Sequence, residues 1–365
     1  MKGVNPMSST AGEHIRLSIF GESHGAAVGG VIDGLPPGEE VDETALLSEM
    51  ARRAPGRDTA ATQRREEDRP RVLSGVLGGR TTGAPLGFLI ENTNTRPQDY
   101  EDLALLPRPS HADYTAHVKY KGFEDRRGGG HFSGRLTAPL VFAGALSKQI
   151  LARRGIFVGG HIYGAGGAYD TPFDPCEITK EQLSALGGMK FPVLSPAAEG
   201  AMRAEIDAAR QAGDSVGGVC ELAAVGLPAG AGGPLFGGVE SALSALLFGI
   251  PGVKGVEFGA GFGIARLRGS QANDAFYSDS GVIKTRTNRS GGIQGGITNG
   301  MPVIVRAAFK PTPSVAAAQE TVRLPEGEAA EIRVGGRHDP FIARRGLAAA
   351  EAAVAFGLLD LICGG

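Results

Sequence analysis

Residues 14–34, HIRLSIFGESHGAAVGGVIDG, contain the motif that decides between two local folds. The run GESHG at 21–25 fits the G-x-S-x-G pattern of a serine hydrolase, in which a strand turns sharply into a helix and exposes the serine. Apolar residues alternate before the motif, as they do in a half-buried strand. After it, Gly29 and Gly30 would each cost a helix about 1 kcal/mol relative to alanine, and the Val-Ile pair that follows favours a strand. The sequence therefore predicts strand, turn and strand, and places Ser23 in a turn without the helix of a nucleophile elbow.

The rest of the chain mixes helix and strand patterns without a fixed repeat. Helical periodicity and end signals predict helices at 44–53, 140–154, 196–213, 240–249 and 347–362. Strand-like apolar runs lie at 72–77, 86–92, 217–227, 253–259 and 301–309. Because these elements do not alternate as regular βαβ units, we expect an α+β fold with mostly antiparallel sheets. No long linker divides the chain, so we expect one domain over residues 8–365 and an N-terminal extension at residues 1–7.

Composition and charge argue against several classes of function. The 37 basic and 39 acidic residues give a net charge of −2, which provides no overall field to attract nucleic acid or an acidic membrane. The cysteines, Cys176, Cys220 and Cys363, are far apart and lack CxxC spacing, which argues against disulfides and a metal site. The N-terminus has no secretory apolar segment, so we expect a cytoplasmic protein. Neither a dinucleotide-binding glycine fingerprint nor a phosphate-binding P-loop is present.

Polar segments that mix arginine or lysine with glycine, serine or threonine are the main functional signal. The chain has 58 glycines, and these segments lie at 52–65, 108–113, 124–137, 286–300, 310–314 and 335–340. Arginine binds carboxylate and phosphate groups bidentately, and exposed backbone N–H groups in glycine loops bind anions. Solvated loops with surface arginines are the alternative for any one segment. Six such segments together favour a site for a small polyanion.

Titratable residues in these segments are candidates for proton transfer. Four of the seven histidines lie in or next to glycine-rich motifs: His24, His111, His131 and His338. A histidine titrates near neutral pH and is suited to act as an acid there. Asp339 is the best-placed carboxylate for a base or an orienting group, although an ion pair with Arg337 is an alternative role. The other three histidines, His14, His117 and His161, are interpreted as structural or surface groups.

Several of these motifs occur together in one known family. GESHG, RPSHADYT, RGGGHFSGRLTAP, SGGIQGGITNG, KPTPS and GRHDP follow the order and approximate spacing of chorismate synthases, and the chain resembles that family from about Ser8 onward. The resemblance implies a single-domain β-α-β sandwich, with antiparallel sheets packed around a helical layer, and a homotetramer. It also implies an anti-1,4-elimination of phosphate from 5-enolpyruvylshikimate 3-phosphate to chorismate. This step of the shikimate pathway uses reduced FMN without net redox change.

The resemblance also implies roles for particular residues. His24 would protonate the reduced flavin, His111 would assist at the leaving phosphate or the flavin, and Asp339 would orient flavin N5, to which the C6 proton goes. The implied substrate-binding residues are Ser23, Arg53, Arg57, Arg64, Arg108, Arg135 and Arg337. The implied flavin-binding residues are His131, Phe132, Ser133, Pro251, Gly252, Gly295, Lys310, Pro311, Thr312, Pro313, Ser314 and Arg337.

Two motifs depart from the family pattern. Residues 131–137 read HFSGRLT where many members have RSSARET, which leaves the flavin contacts of the first two side chains open. The first arginine cluster reads RRAPG, so that either Arg52 or Arg53 could contact the ligand.

Two other functions remain as alternatives at this point. One is a flavin-dependent NADPH oxidoreductase, and the other is a serine hydrolase. NADPH is also a possible external reductant for the flavin of a chorismate synthase. Since no nicotinamide-binding fingerprint is visible, the sequence favours an enzyme that receives reduced FMN from elsewhere.

Overall fold

The computed structural model of the 365-residue chain describes residues 9–54, 68–93, 105–334 and 339–364. The strands are β1 (Thr10–Ala11), β2 (Arg16–Gly21), β3 (Ala27–Asp33), β4 (Pro70–Val72), β5 (Val76–Leu77), β6 (Arg80–Thr81), β7 (Leu86–Glu91), β8 (Phe157–Ala165), β9 (Ala168–Tyr169), β10 (Gly218–Val225), β11 (Val253–Phe258), β12 (Phe276–Asp279), β13 (Val282–Thr285), β14 (Ile293–Gln294), β15 (Ile297–Thr298), β16 (Val303–Phe309), β17 (Gln319–Arg323) and β18 (Glu328–Ile332). The α-helices are α1 (Glu43–Arg53), α2 (Asp113–Tyr120), α3 (Thr137–Arg153), α4 (Lys180–Gly188), α5 (Pro196–Gln211), α6 (Val239–Phe248), α7 (Gly269–Ala272) and α8 (Ala343–Gly364).

Two five-stranded sheets contain the long strands. The first has the order β1-β2-β3-β7-β4 and the second has the order β11-β16-β10-β8-β9. Neighbouring strands in both sheets are antiparallel. The remaining strands form four two-stranded hairpins. The prediction of an α+β fold with antiparallel sheets is confirmed.

A layer of helices lies between the two sheets. Helix α3 packs against β2, β3 and β7 of the first sheet, and α8 packs against β8, β10 and β16 of the second. The two helices cross closely at Gly144, where a Cβ atom would lie 2.3 Å from Cα of Ala352. Stacked rings of Phe88 and Phe142, 3.9 Å apart, join the first sheet to α3. One hydrophobic cluster contains buried residues of both sheets and of these helices, as a β-α-β sandwich requires.

Helix α8 is apolar along most of its length. Within the described ranges it is the one helix long and apolar enough to cross a membrane, and 78% of its most apolar window is buried inside the fold. Its apolar character therefore agrees with its position in the centre of the sandwich.

The GESHG motif lies in a turn between two strands, as predicted. Strands β2 and β3 pair antiparallel, with Gly21 opposite Val28, and the turn between them carries Ser23 and His24. No helix follows the motif, because residues 27–33 form β3. The nucleophile elbow of a serine hydrolase is therefore absent here.

Most of the predicted elements are confirmed, and their ends differ by a few residues. Helix α8 begins four residues earlier than the 347–362 pattern indicated. The predicted strand at 72–77 is wrong as a single element, because Leu73, Ser74 and Gly75 separate β4 from β5. Gly75 has a φ of +82°, and a Cβ there would lie 2.5 Å from Cα of Leu86. The sequence patterns did not predict β8, α2, α4 or the hairpin strands β12, β13, β17 and β18.

Candidate active site

The turn with Ser23 and His24 packs against a run of three glycines, residues 128–130. The N–H of Ser23 donates to the carbonyl of Gly130 at 3.0 Å, and both Ser23 and His24 are buried. The three glycines have φ values of +61°, +84° and +52°, a conformation that other residues rarely adopt. A Cβ on Gly128 would lie 2.2 Å from Cε1 of His24. Because Gly128 has no side chain, the imidazole of His24 can pack directly against the backbone of the glycine run.

Arg108 lies beside the same glycine run. A Cβ on Gly129 would be 3.9 Å from a terminal nitrogen of Arg108. The guanidinium donates to both carboxylate oxygens of Asp113, at 2.7 and 2.8 Å. Although burial raises the pKa of Asp113, hydrogen bonds and the charge of Arg108 hold it below its usual value. These contacts join the 108–113 segment to the surroundings of His24.

His111 is held as a neutral imidazole among cations. Its Nδ1 donates to the carbonyl of Pro109 at 3.0 Å, since a carbonyl can only accept, and its Nε2 is 2.9 Å from the hydroxyl of Ser314. Burial, followed by the charges of Arg108 and, less strongly, Lys310, lowers the pKa of His111 to about 4. Near neutral pH, Nε2 can therefore accept a proton or a hydrogen bond.

The segment 310–314 connects His111 with Asp339. The ammonium of Lys310 donates to the carbonyl of Ser110, and its backbone N–H donates to the carbonyl of Gly252 at 2.9 Å. The hydroxyl of Thr312 donates to the carbonyl of Asp339 at 2.7 Å. Hydrogen bonds thus link the 310–314 segment with three other regions that the sequence predicts to lie at the site.

Asp339 is a buried carboxylate that lies close enough to two described arginines, Arg345 and Arg344, for both charges to lower its pKa. One oxygen accepts the N–H of Phe341 at 3.1 Å, and the other lies 3.7 Å from the guanidinium of Arg345. Burial raises the pKa of Asp339, and the charge of Arg345 opposes this shift only in part. Arg345 also donates to the backbone carbonyl of Arg53 at 3.0 Å, which connects Asp339 to the end of α1.

Arg53 and Arg135 share one buried carboxylate, that of Asp68. Each guanidinium binds a different oxygen of Asp68, and Arg53 also donates to the hydroxyl of Thr137 at 3.1 Å. Burial lowers the pKa of Arg53 to about 10, although the charge of Asp68 opposes the shift. Burial raises the pKa of Asp68, but the two guanidiniums outweigh it and hold the value below the usual range. The two arginines predicted to bind substrate are thus buried and paired within the chain.

The neighbouring Arg52 points elsewhere. Its guanidinium binds Glu49 on α1 and Glu351 on α8, and Glu351 is also bound by Lys148 of α3. Arg52 therefore ties α1 to α8, and Lys148 adds α3 to the same network, whereas Arg53 lies with the predicted site residues.

Two residues predicted to bind flavin have partners inside the fold. Nδ1 of His131 donates to the carbonyl of Gly21 at 2.7 Å, and its Nε2 lies 2.8 Å from the hydroxyl of Ser9. Both ring nitrogens are engaged, so this side chain fixes the end of β2. Phe132 is 39% exposed, and its ring lies 6.3 Å from that of Tyr120.

Some of the remaining predicted flavin-binding residues are connected by hydrogen bonds to the other predicted site residues, and others are not. The hydroxyl of Ser133 accepts the N–H of Arg135 at 3.3 Å, and Pro251-Gly252 is joined to Lys310. Gly295 occupies the turn between β14 and β15 with a φ of +64°. The contacts described for that turn are with residues 232–239, and they do not join it to the segments of His111 or Asp339. The predicted residues Arg57, Arg64, Arg337 and His338 lie outside the described residues.

Three residues at this site escaped the sequence analysis. Asp68 and Arg345 gain their importance from partners distant in sequence, and no local pattern marks them. Gly128 was detectable in part, since three consecutive glycines beside a histidine indicate a backbone that other residues rarely adopt.

Comparisons with known proteins identify the family to which the chain belongs. The family model for chorismate synthase matches residues 15–363. The chain is 46% identical to the chorismate synthase of Thermococcus kodakarensis over 349 residues, 96% of each chain. It is 44% identical to that of Methanocella arvoryzae over 360 residues, which are 98% of this chain and 95% of the relative. A crystal structure of chorismate synthase superimposes with a TM-score of 0.73 at 26% identity, covering 96% of this chain and 92% of that one. The chain belongs to the chorismate synthase family.

Proposed function

We propose that the chain catalyses the reaction of its family, the anti-1,4-elimination of phosphate from 5-enolpyruvylshikimate 3-phosphate to give chorismate. It is then a carbon–oxygen lyase of the shikimate pathway, which supplies aromatic amino acid biosynthesis. Similarity over almost the full length of curated chorismate synthases supports this function.

The observation that carries the proposal is the charge balance around His111. Among the described residues, the charges of Arg108 and Lys310 lower the pKa of His111 and that of Asp113, which Arg108 binds, raises it. In a second cluster, Arg53 and Arg135 face the single carboxylate of Asp68. The cations therefore exceed the carboxylates, and the pKa of His111 is low in this environment. A substrate with a phosphate and two carboxylates would supply the missing negative charge.

The family requires a reduced flavin, and we propose FMN. When bound, the reduced flavin supplies electron density that supports departure of the phosphate. The chemistry of the donor set fits such a group, because the imidazole of His24, the carboxylate of Asp339 and the ammonium of Lys310 are suited to a polar ring and a phosphate. Residues 131–133, Pro251-Gly252, Gly295 and 310–314 are the proposed binding residues, with Arg337 outside the described part.

Three side chains are proposed to manage protons and charge. His24 holds or donates a proton beside the glycine run that seats it. His111, neutral through its low pKa and fixed by Pro109, offers Nε2 to the ligand phosphate or to Ser314. Asp339, whose pKa is raised by burial, would orient N5 of the bound flavin. Ser23 is proposed as a binding residue, since no elbow activates it.

Partners and location are proposed from the family and the sequence. We propose a homotetramer in the cytoplasm that uses no nucleic acid and no membrane. We further propose that NADPH, if used, acts as an external reductant of the flavin and not as a substrate of the elimination.

An anaerobic assay with photoreduced FMN, with and without NADPH, tests the function. We expect chorismate and phosphate to form in equal amounts from 5-enolpyruvylshikimate 3-phosphate, with no NADPH consumed in proportion to product. A flavin-dependent oxidoreductase would oxidise NADPH and release no phosphate. Absence of phosphate release by the wild-type enzyme with reduced FMN would contradict the proposal.

A further inference from the structure

The side chain of Asn92 contacts both ends of the GESHG turn. Asn92 directly follows β7, and its Nδ2 donates to the carbonyl of Glu22 at 3.0 Å and to that of Gly25 at 2.8 Å. Its Oδ1 accepts from Nε of Arg135 at 2.9 Å. Both amide hydrogens and the amide oxygen are therefore used.

The partners fix the orientation of this amide. Backbone carbonyls only accept and a guanidinium only donates, so the NH2 group must face the turn and the oxygen must face Arg135. The backbone N–H of Asn92 also donates to the carbonyl of Ala26 at 3.1 Å, which adds a third hydrogen bond between Asn92 and the turn. An aspartate of the same shape would keep the contact with Arg135 but could not donate to the turn.

The turn held in this way carries His24. Ser23 and His24 lie between the two carbonyls that the amide binds, and one backbone bond, from the N–H of Gly25 to the carbonyl of Glu22 at 3.1 Å, closes the same turn. Through Arg135 the amide also connects this turn to the buried carboxylate of Asp68. The position of the imidazole thus depends on an amide some 70 residues away in sequence.

We propose that Asn92 is a positioning residue for the elimination: it clamps the turn so that His24 is held in the geometry that the reaction needs. This inference rests on the proposed role of His24. A displacement of about 1 Å can cost a reaction about 10²-fold, so loss of the clamp affects turnover more than substrate binding.

The variant Asn92→Asp tests the clamp with minimal change of shape. With pre-reduced FMN under anaerobic conditions, we expect its kcat to fall about 10- to 100-fold while KM changes less than about threefold. In a His24→Ala background, the same substitution should cause almost no further loss, because it acts through His24. Multiplicative losses in the double variant would overturn the inference, as would an Asn92→Asp enzyme with wild-type kcat.

Asn288 offers a matched control. Its amide makes the same pattern of bonds, donating to the carbonyls of Pro175 and Pro302 at 2.9 and 2.8 Å and accepting the N–H of Gly292 at 2.6 Å. Asn288→Asp should lower the melting temperature, but it should lower kcat by the same factor with and without His24. If both variants behave alike in this cycle, Asn92 has only a structural role.

A second measurement does not depend on activity. In flavin-free protein with labelled histidine, the ring signal of His24 should shift or broaden in Asn92→Asp, whereas that of His161 should stay in place. An unchanged His24 signal would overturn the inference even if the wild-type enzyme proved to release no phosphate. Failure of the wild-type assay alone would contradict the proposed function and not the clamp.

Discussion

Two histidines of this fold, the buried His161 and the half-buried His111, have opposite surroundings. His161, on β8, is fully buried, with Nδ1 at 3.0 Å from Asp170 and Nε2 at 2.9 Å from Glu221. Burial alone would lower the pKa of His161, but hydrogen bonds to the two carboxylates raise it above the usual value. For His111, burial is the largest cause and the charge of the neighbouring Arg108 the next, and together they lower its pKa to about 4.

The difference separates a structural network from a ligand site. Around His161 the charges are matched within the chain, since Glu221 also accepts from Arg306 at 2.8 Å and from the N–H of Phe173 at 2.7 Å. The network spans three neighbouring strands, β8, β10 and β16, and stabilises the second sheet. Around His111, in the described part of the chain, Arg108 and Lys310 face the single carboxylate of Asp113. An anionic ligand would neutralise the remaining positive charge. The predictions below test this separation.

The largest effect is expected at His24. Removal of a group that acts as a general acid typically costs about 10²–10⁴-fold in turnover, so His24→Ala should lose most of its activity. Ser23→Ala should keep a substantial part of it, because Ser23 lies in a strand–turn–strand segment. Steady-state chorismate formation with reduced FMN measures both. The opposite ranking would restore the serine-nucleophile interpretation.

Arg135 combines features of a structural network and of the ligand site. It is predicted to bind the substrate, and it is buried against the carboxylate of Asp68. Because Asp68 keeps Arg53 as a partner when Arg135 is removed, Arg135→Ala should lower the free energy of unfolding by about 1–3 kcal/mol, through the loss of its charge-assisted hydrogen bonds, as well as weaken substrate binding. Chemical denaturation measures the loss.

The control for Arg135 is Arg153, whose guanidinium is paired with Glu39 at the surface. Arg153→Ala should cost at most about 1 kcal/mol. If Arg135→Ala unfolds like the wild type and loses only affinity, the arginine belongs to the ligand site alone.

Asp339→Asn should bind FMN and substrate, because its size and one acceptor oxygen survive. Its single-turnover phosphate release should nevertheless fall by roughly 10²-fold, since the carboxylate charge next to the reacting groups is lost. The exposed Asp279, which pairs with Lys284 on a hairpin, supplies the control Asp279→Asn, with wild-type release expected. Wild-type release by Asp339→Asn would leave the carboxylate with a structural role only.

The smallest effect concerns the pH dependence of stability. Because the folded pKa of His161 is raised, its pairing stabilises the fold fully below the unfolded pKa of about 6.5 and is lost as pH rises through the folded value. The difference in melting temperature between wild type and His161→Gln should therefore be larger near about pH 6 than in alkaline solution. A difference that grows with pH would contradict a charged His161.

Particular residues explain which features the sequence predicts. Alternating apolar residues and paired glycines around GESHG correctly predict β2, the turn and β3, because these signals are local. The strand predicted at 72–77 fails at Gly75, whose positive φ is invisible in an apolar pattern. The motifs at 108–113 and 310–314 do come together, as the contact of His111 with Ser314 demonstrates. Local sequence could not distinguish the charge states of His111 and His161, because Glu221 lies 60 residues from His161.

Ring signals of labelled His111 and His161, followed by NMR over pH with and without the phosphorylated substrate, test the central claim most directly. We predict that His111 in the free enzyme titrates near pH 4 and that bound substrate raises this value, because the ligand adds negative charge beside Arg108. His161 should titrate above its ordinary value, because the carboxylates of Asp170 and Glu221 raise its pKa, and it should be unaffected by the substrate. A His111 that titrates near its ordinary value and does not respond to the substrate would contradict the account.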